Sequence, residues 1–345
     1  MIPIQNIYYM LSYAFQVLNE QGYKNIATEQ FNNTGELMAA ILEKGIAIQL
    51  KRGLGKEYIP QTEALSSLRG KIDIAESIKT QSMLRKQLIC TYDEFSVNSI
   101  MNRIIKSTVE LLLRSNISKQ RKKNLRKLMV YFSEVDFIDL YTVNWNVQYN
   151  RNNQTYRMLI SICYLVVKGL LQTQSNGHTK LMDFLDEQRM CRLYEKFILE
   201  YYRREFKNQI TANASQIPWQ LDNEENSLLP VMQSDIMLQS GEKVLIIDAK
   251  YYEHSTQVQF DKHTLHSGNL YQIFTYVKNK EYELREKDHT VSGMLLYAKT
   301  DEAIYPNNVY QMSGNQITVR TLDLNLSFDE IAGQLNTIAK THFDL

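Results

Sequence analysis

The chain has 345 residues but only three cysteines, Cys90, Cys163 and Cys191. They are unevenly spaced and form no C-x-x-C pair, which sets aside a structural zinc site and suits a reducing cytoplasm. With five prolines and 13 glycines, the sequence has no composition for a long disordered linker. No apolar run approaches the length of a membrane span. The opening MIPIQNIYYM lacks the charged start and cleavage site of a secretory signal, so a cytoplasmic location is the expectation. A surplus of either charge is also missing, since 39 Lys and Arg face 38 Asp and Glu for a net +1. Such a chain meets a polyanion through local patches, or leaves most of the phosphate attraction to a partner.

What is present is ordinary for a globular protein. Hydrophobic residues make up 44% and charged residues 22%, in a length that accommodates two domains. The 22 tyrosines are compatible with a wet binding surface. Helical spacing of Ile4, Ile7, Tyr8, Leu11, Ala14 and Leu18 predicts a helix over 4–19. A second is expected from Thr34 to about 51, ending in KRGLGKEYIP, where two glycines and a proline mark a loop. LRGKIDI and LICTYDEFSV read as extended pieces, and helices are expected near 98–115, 118–134 and 152–174. The character changes near 180. A long amphipathic helix (DEQRMCRLYEKFILEYYRREF) leads into strands near 209–220, 228–238 and 243–251. A helix over 268–278, the strand VSGMLLYAKT, strands near 308–326 and a last helix at the Ser327–Glu330 capping box follow. This order predicts an α/β domain over 151–345 behind a mainly helical (α+β) domain over 1–150.

The stretch SDIMLQSGEKVLIIDAKYY carries the chemistry. Val244 to Ile247 form an apolar strand that runs directly into Asp248, Ala249 and Lys250. Two residues apart, Asp248 and Lys250 point to one face of a strand. Asp235 lies thirteen residues upstream on another short strand, and Gln239 to Glu242 have the composition of a hairpin turn. Folding the hairpin brings Asp235 and Asp248 together beside Lys250, which are the parts of a metal-dependent phosphodiesterase. Mg²⁺, or Mn²⁺, takes oxygen ligands and keeps several waters. Asp235, Asp248 and the Ala249 carbonyl suffice, and Glu195 on the preceding helix adds a carboxylate through metal-bound water. Lys250 would orient or deprotonate the attacking water, or stabilise developing negative charge. The bland alternative is a strand end capped by solvated charges.

With Glu195, Asp235, Asp248-Ala-Lys250 and Gln272-x-x-x-Tyr276 in this order, the chain resembles the PD-(D/E)xK nucleases of the RecB-type branch, although Ser234 replaces the proline. IPIQNIYYMLSYAF, LRGKID, MNRIIK, RLYEKFILEY and IIDAKYY extend the resemblance over nearly the full length to the McrC family. These are the nuclease subunits of McrBC modification-dependent restriction systems. The resemblance implies a restriction-endonuclease-like mixed sheet flanked by helices. It also implies Mg²⁺-dependent cleavage of DNA in a 5-methylcytosine-type complex, with Gln272 and Tyr276 against the active site. Residues 1–150 would dock on a hexameric AAA+ GTPase of the McrB type, and the 51–58 loop with Arg52 and Lys56 is the candidate projection into its pore. A non-catalytic assembly subunit with a decayed site, or a stand-alone RecB-like nuclease, are the alternatives; the intact Glu, Asp, Asp and Lys set favours catalysis.

Other features read more plainly. SKQRKKNLRK at 118–127 suits either a DNA phosphate track or a solvated helix face. His254, His263 and His266 follow the DAK strand at spacings poor for chelation. Neither KRGLGKEY nor LRGKID fits the G-x-x-x-x-G-K-S/T phosphate loop. The isolated chain is therefore expected to hydrolyse neither GTP nor ATP, measured as phosphate release against a buffer blank. It should raise the turnover of a cognate GTPase ring.

Overall fold

A computed structural model describes residues 2–19, 23, 26, 29, 31–150, 153–175, 187–223, 228–252, 257–259, 262–299 and 305–345. The chain divides into two units, one formed by Met1–Phe31 with Asp183–Leu345 and the other by Asn32–Met182. Helix α1, Ile4–Ala14, opens the first of them and buries Ile7, Tyr8, Met10 and Leu11.

In the unit Asn32–Met182, α2 (Thr34–Arg52) starts where the Asn33 side chain accepts the Glu36 amide at 2.9 Å. Lys51 and Arg52 in its last turn complement the negative end of the helix dipole, and Gly53 at φ +90° ends it. Then come β1 (Glu57–Leu65), β2 (Lys71–Asp73), α3 (Ile74–Lys79) and β3 (Leu88–Ser96). β3 is central, pairing antiparallel with β1 from Glu57↔Ser96 to Leu65↔Leu88 and with β2 on its other side. The loop expected over KRGLGKEYIP is thus confined to 53–56. Pro60 belongs to β1, an edge strand, where a missing N–H breaks no ladder bond.

Helices α4 (Ile100–Arg114), α5 (Lys119–Met129) and α6 (Gln154–Ser175) complete this unit, with α6 packed on α2 and α4. Ser99 and Ser118 cap α4 and α5 by accepting the Asn102 and Arg121 amides. A polar cluster pins the 53–56 loop to the helices. The Tyr156 hydroxyl donates to Asn102 Oδ1 and accepts the Gly55 amide, both at 2.7 Å. Asn102 Nδ2 donates to the Gly55 carbonyl at 2.9 Å and to the Val97 carbonyl at 2.8 Å. A Cβ on Gly55 would meet the Tyr156 ring at 3.1 Å.

The other unit resumes with α7 (Glu187–Glu205), on which α1 packs. Tyr13 lies 5.6 Å from the Phe197 ring centroid and 5.3 Å from that of Tyr201. Buried Asn6 donates to the Leu324 and Leu326 carbonyls, each at 2.8 Å. These long-range contacts assign the first 31 residues to the C-terminal part. The packing of α6 assigns 153–175 to the other unit, so the division differs from one at 150.

Beyond α7 the order is β4 (Thr211–Asn213), β5 (Gln216–Ile217), β6 (Met232–Gln233), β7 (Ile236–Ser240), β8 (Lys243–Lys250), β9 (Gln257–Gln259), β10 (Lys262–Thr264), α8 (Ser267–Glu283), β11 (Thr290–Ala298), β12 (Asn308–Met312), β13 (Asn315–Leu322) and α9 (Phe328–Phe343). Six strands form one sheet in the order β12-β13-β11-β8-β7-β4. β8, β11 and β13 run parallel, whereas β7, β4 and β12 pair antiparallel with their neighbours, so the sheet is mixed and flanked by helices as expected. The two long strands expected near 209–220 and 228–238 are each broken in two. Their outer parts, β5 and β6, pair with each other outside this sheet.

Val244, Ile246, Leu295, Ile317 and Val319 form an apolar layer under Ile273 and Val277 of α8. Gly293 permits that approach, because a Cβ there would lie 2.8 to 2.9 Å from the side chains of Ile273, Ile317 and Val277. Leu245 and Ile247 on the opposite face are also buried, so β8 is covered on both sides. α9 begins with the expected capping box between Ser327 and Glu330. In the other unit, Tyr156→Phe would leave buried Asn102 Oδ1 and the Gly55 amide without their hydroxyl partner. A stability loss of about 1–3 kcal/mol is expected in urea denaturation, with faster amide exchange at Gly55.

Candidate active site

β7 and β8 form the expected hairpin, in register from Ile236↔Ile247 to Ser240↔Lys243. Gly241, at φ +56°, sits in a turn shorter than the four residues read from composition. β7 begins at Ile236, and the residue before it takes over the ladder: Asp235 Oδ2 accepts the Ala249 amide at 2.9 Å. The carboxylate thereby replaces a strand carbonyl and is held beside Asp248.

Strand alternation puts Asp248 and Lys250 on the face of Val244 and Ile246, under α8. Lys250 Nζ lies 2.9 Å from Asp248 Oδ2 and donates to Gln272 Oε1 at 3.3 Å. Gln272 Nε2 donates in turn to the Tyr276 hydroxyl at 3.0 Å. Asp235, Asp248, Lys250, Gln272 and Tyr276 therefore converge.

Asp248 is only 1% exposed, which corrects the reading of a solvated strand end. Burial raises its carboxyl pKa, Lys250 opposes the rise and Asp235 adds to it. Asp248 Oδ2 meets only the Lys250 ammonium, and among the described residues its buried Oδ1 has no hydrogen-bond donor. For Lys250, burial favours the neutral amine, but the Asp248 carboxylate outweighs it and keeps the ammonium charged.

Glu195 projects from α7. Burial and the Asp235 charge raise its carboxyl above the usual range. The Cys191 thiol, one turn earlier, donates to Glu195 Oε1 at 3.0 Å and lies 4.0 Å from the Ala249 carbonyl. Burial, then Glu195, pushes the thiol up to about 12, so it acts as a neutral donor. Sequence reasoning used Cys191 only to infer compartment. Its four-residue spacing from Glu195 on an amphipathic helix was the available signal.

A second polar group was also missed. Asn269 Nδ2 donates to the hydroxyl of Tyr297 at 2.9 Å, and the Tyr252 hydroxyl donates to Asn269 Oδ1 at 3.3 Å. Tyr297 is fully buried and stands opposite Lys250 in the β8–β11 register. Asn269 is one turn before Gln272, so this cluster ties the start of α8 to β11, beside the strand that bears Lys250. Among the described residues no group of three or more His, Cys, Asp or Glu side chains is arranged to hold a metal ion. His254 lies outside the described residues, and His266 packs edge-on against Tyr252 with ring centroids 5.3 Å apart. Arg52 and Lys56 are exposed in the other unit, with Lys56 Nζ 5.7 Å from the Phe95 ring centroid. The loop between them is pinned through Gly55.

Over residues 5–298 the chain matches the family described as McrBC 5-methylcytosine restriction system component. The chain belongs to the McrBC family. A curated McrBC relative, the Type IV methyl-directed restriction enzyme EcoKMcrBC of Escherichia coli (strain K12), is 31% identical over 329 residues, covering 94% of this chain and 93% of that protein. The McrC resemblance read from the motifs is thereby borne out. One similar solved structure is the refined half-complex from the tetradecameric assembly of Thermococcus gammatolerans McrB AAA+ hexamers with bound McrC. The match has 19% identity and a TM-score of 0.49, over 97% of this chain and 76% of that one. The Thermococcus gammatolerans McrBC complex gives 22% identity and 0.41 over 59% of each chain. Membership of the McrBC family rests on the sequence match. Among the described residues of this McrBC-family chain, no helix is long and apolar enough to cross a membrane.

Asn269→Ala should leave the buried Tyr297 hydroxyl unpaired and lower stability by about 1–3 kcal/mol. Combined with Tyr297→Phe the loss should be smaller than the sum of the two single losses. Additivity in urea denaturation would show that the two groups are not coupled.

Proposed function

We propose that this chain is the Mg²⁺-dependent DNA endonuclease subunit of a GTP-driven, modification-dependent restriction complex of the 5-methylcytosine type, with a PD-(D/E)xK site. The observation that carries this reading is Asp248. A buried carboxylate is costly, and one kept for stability has its oxygens hydrogen-bonded. Asp248 Oδ1 lacks such a partner, its Oδ2 has only the Lys250 ammonium, and a second carboxylate stands beside it. That arrangement fits a divalent cation. Asp235, Asp248 and the Ala249 carbonyl would hold Mg²⁺, or Mn²⁺, and Glu195 would reach it through water. When bound, the ion supplies charge neutralisation at the phosphodiester and acidifies water.

The chain's own residues do the rest. Lys250, held as an ammonium between Asp248 and Gln272, donates a hydrogen bond to the attacking water or to the developing negative charge. Gln272, fixed by Tyr276, keeps the Lys250 side chain aimed into the site. The Cys191 thiol orients Glu195.

Membership in a family of restriction-system components, together with the missing phosphate loop, supports a separate motor partner: a McrB-like AAA+ GTPase hexamer whose hydrolysis this chain stimulates. The unit Asn32–Met182 is the docking element. Arg52 and Lys56 flank a pinned loop, so they would act as fixed cationic contacts rather than as a mobile tip. Ile74, Ile78 and Leu84, at 61%, 62% and 81% exposure, offer a more accessible apolar surface around α3.

In a complex reconstituted with its cognate GTPase, Asp235→Ala, Asp248→Ala and Lys250→Ala should each lower cleavage of 5-methylcytosine DNA by about a hundredfold or more. Co-elution with the ring should persist. Wild-type cleavage by Asp248→Ala would instead make this chain a non-catalytic assembly subunit.

A further inference from the structure

Helix α5, KQRKKNLRKLM, holds six Lys or Arg and no acid. One of the six faces inward: Arg121 Nη1 is 2.9 Å from Glu43 Oε2, and its Nε lies 3.7 Å from Glu36 Oε2. Fully buried Leu125 lies on the same side. The remaining five, Lys119, Lys122, Lys123, Arg126 and Lys127, follow the i, i+3, i+4, i+7, i+8 pattern of a single face. All but half-buried Lys122 are exposed. Among the described residues none of the five has an acidic partner.

A helix face that only meets solvent normally mixes signs, because like charges one turn apart repel. Here every neighbour pair along the stripe is cation against cation. The first turn, at the positive end of the helix dipole, carries Lys119 and no acid. The helix is held by its inner face against the electrostatics of its outer one. Overall composition does not account for this, since the whole chain nets only +1. A polyanion would remove the repulsion. The stripe spans nine residues, whose eight rises of 1.5 Å give about 12 Å, and so faces roughly three to four phosphates of one duplex strand. The two amides on α5, the groups best suited to reading bases, are engaged: Gln120 donates to Asn124, and Asn124 donates to Glu43, both at 2.9 Å.

We infer that the outer face of α5 docks the phosphate backbone of duplex DNA without reading its sequence. The inference rests on DNA being the substrate, but it concerns binding in a unit separate from the carboxylate site. The test uses the full chain without partner, in EDTA, and follows fluorescence anisotropy of an unmodified duplex of about 30 base pairs through a salt series. Replacing Lys122, Lys123, Arg126 and Lys127 together by Ala should weaken binding about tenfold or more at roughly 50 mM salt. The slope of log affinity against log salt should become shallower by about three to four. Asp248→Ala should bind as wild type, so a failed cleavage assignment and a failed docking surface give different results. Unchanged affinity and slope in the α5 variant, or no duplex binding by the wild type at about 50 mM salt, overturns the proposal. Unchanged DNA binding with weaker stimulation of the GTPase ring also overturns it and assigns the face to the protein partner. Should the fourfold variant lose its helical circular dichroism, Lys123→Glu and Lys127→Glu alone carry the test. Each should weaken binding about threefold or more with the thermal midpoint preserved.

Discussion

One hydrogen bond organises the site, the Ala249 amide donating to the Asp235 carboxylate at 2.9 Å. It lies where the β7–β8 ladder ends, so a side chain completes a pairing that the backbone does not continue. It fixes Asp235 to the strand that bears Asp248 and Lys250. The distances among these three groups then follow from strand geometry, not from loop conformation. The same bond occupies one oxygen of Asp235 and leaves its other for further contacts. Alternation along β8 directs Asp248 and Lys250 under α8, whose Gln272 receives the ammonium.

That placement depends on close packing some distance away. Gly293 of β11 lets Ile273 and Val277 of α8 settle on the sheet, and any side chain at 293 would hold the helix off. Asn269 and Tyr297 secure the helix start beside β8. Asp248 is consequently buried, which raises its pKa and leaves Lys250 as its only cation within ion-pairing distance among the described residues. The apolar layer and the charged pair Asp248 and Lys250 are thus not separate regions of the sheet. They are successive positions on one face of one strand.

Much of this was legible in the sequence because it is local. The D-A-K spacing, the hairpin around Gly241, the Ser327 cap and the amphipathic stripe of α7 each rest on period or turn chemistry within about a dozen residues. Burial of Asp248 was not legible, because it depends on helices far away in the chain. Nor was the Asn269–Tyr297 bond, whose geometry is set by packing against β11, and of the Cys191–Glu195 bond only the helical spacing was visible. In β1, Pro60 looked like punctuation, yet an edge strand tolerates it. Gly55 looked like freedom to protrude, whereas its missing side chain makes room for the ring of Tyr156. The same residue types carry opposite meanings once tertiary neighbours are known.

The unit that carries the carboxylates is built from two stretches of chain, with Asn32–Met182 set between them as an insertion. Asn6 finds its acceptor, the Leu324 carbonyl, 318 residues later. At a ribosomal rate of about 5–20 residues per second, roughly 16 to 64 s pass between the synthesis of the two. During that interval α1 has no α9 approach to bind, while the inserted unit has all of its own strands and helices. Translation therefore delivers the unit proposed to meet the motor before it can finish the unit that bears the carboxylate pair. A carboxylate pair assembled in this order cannot be in place on a half-made chain.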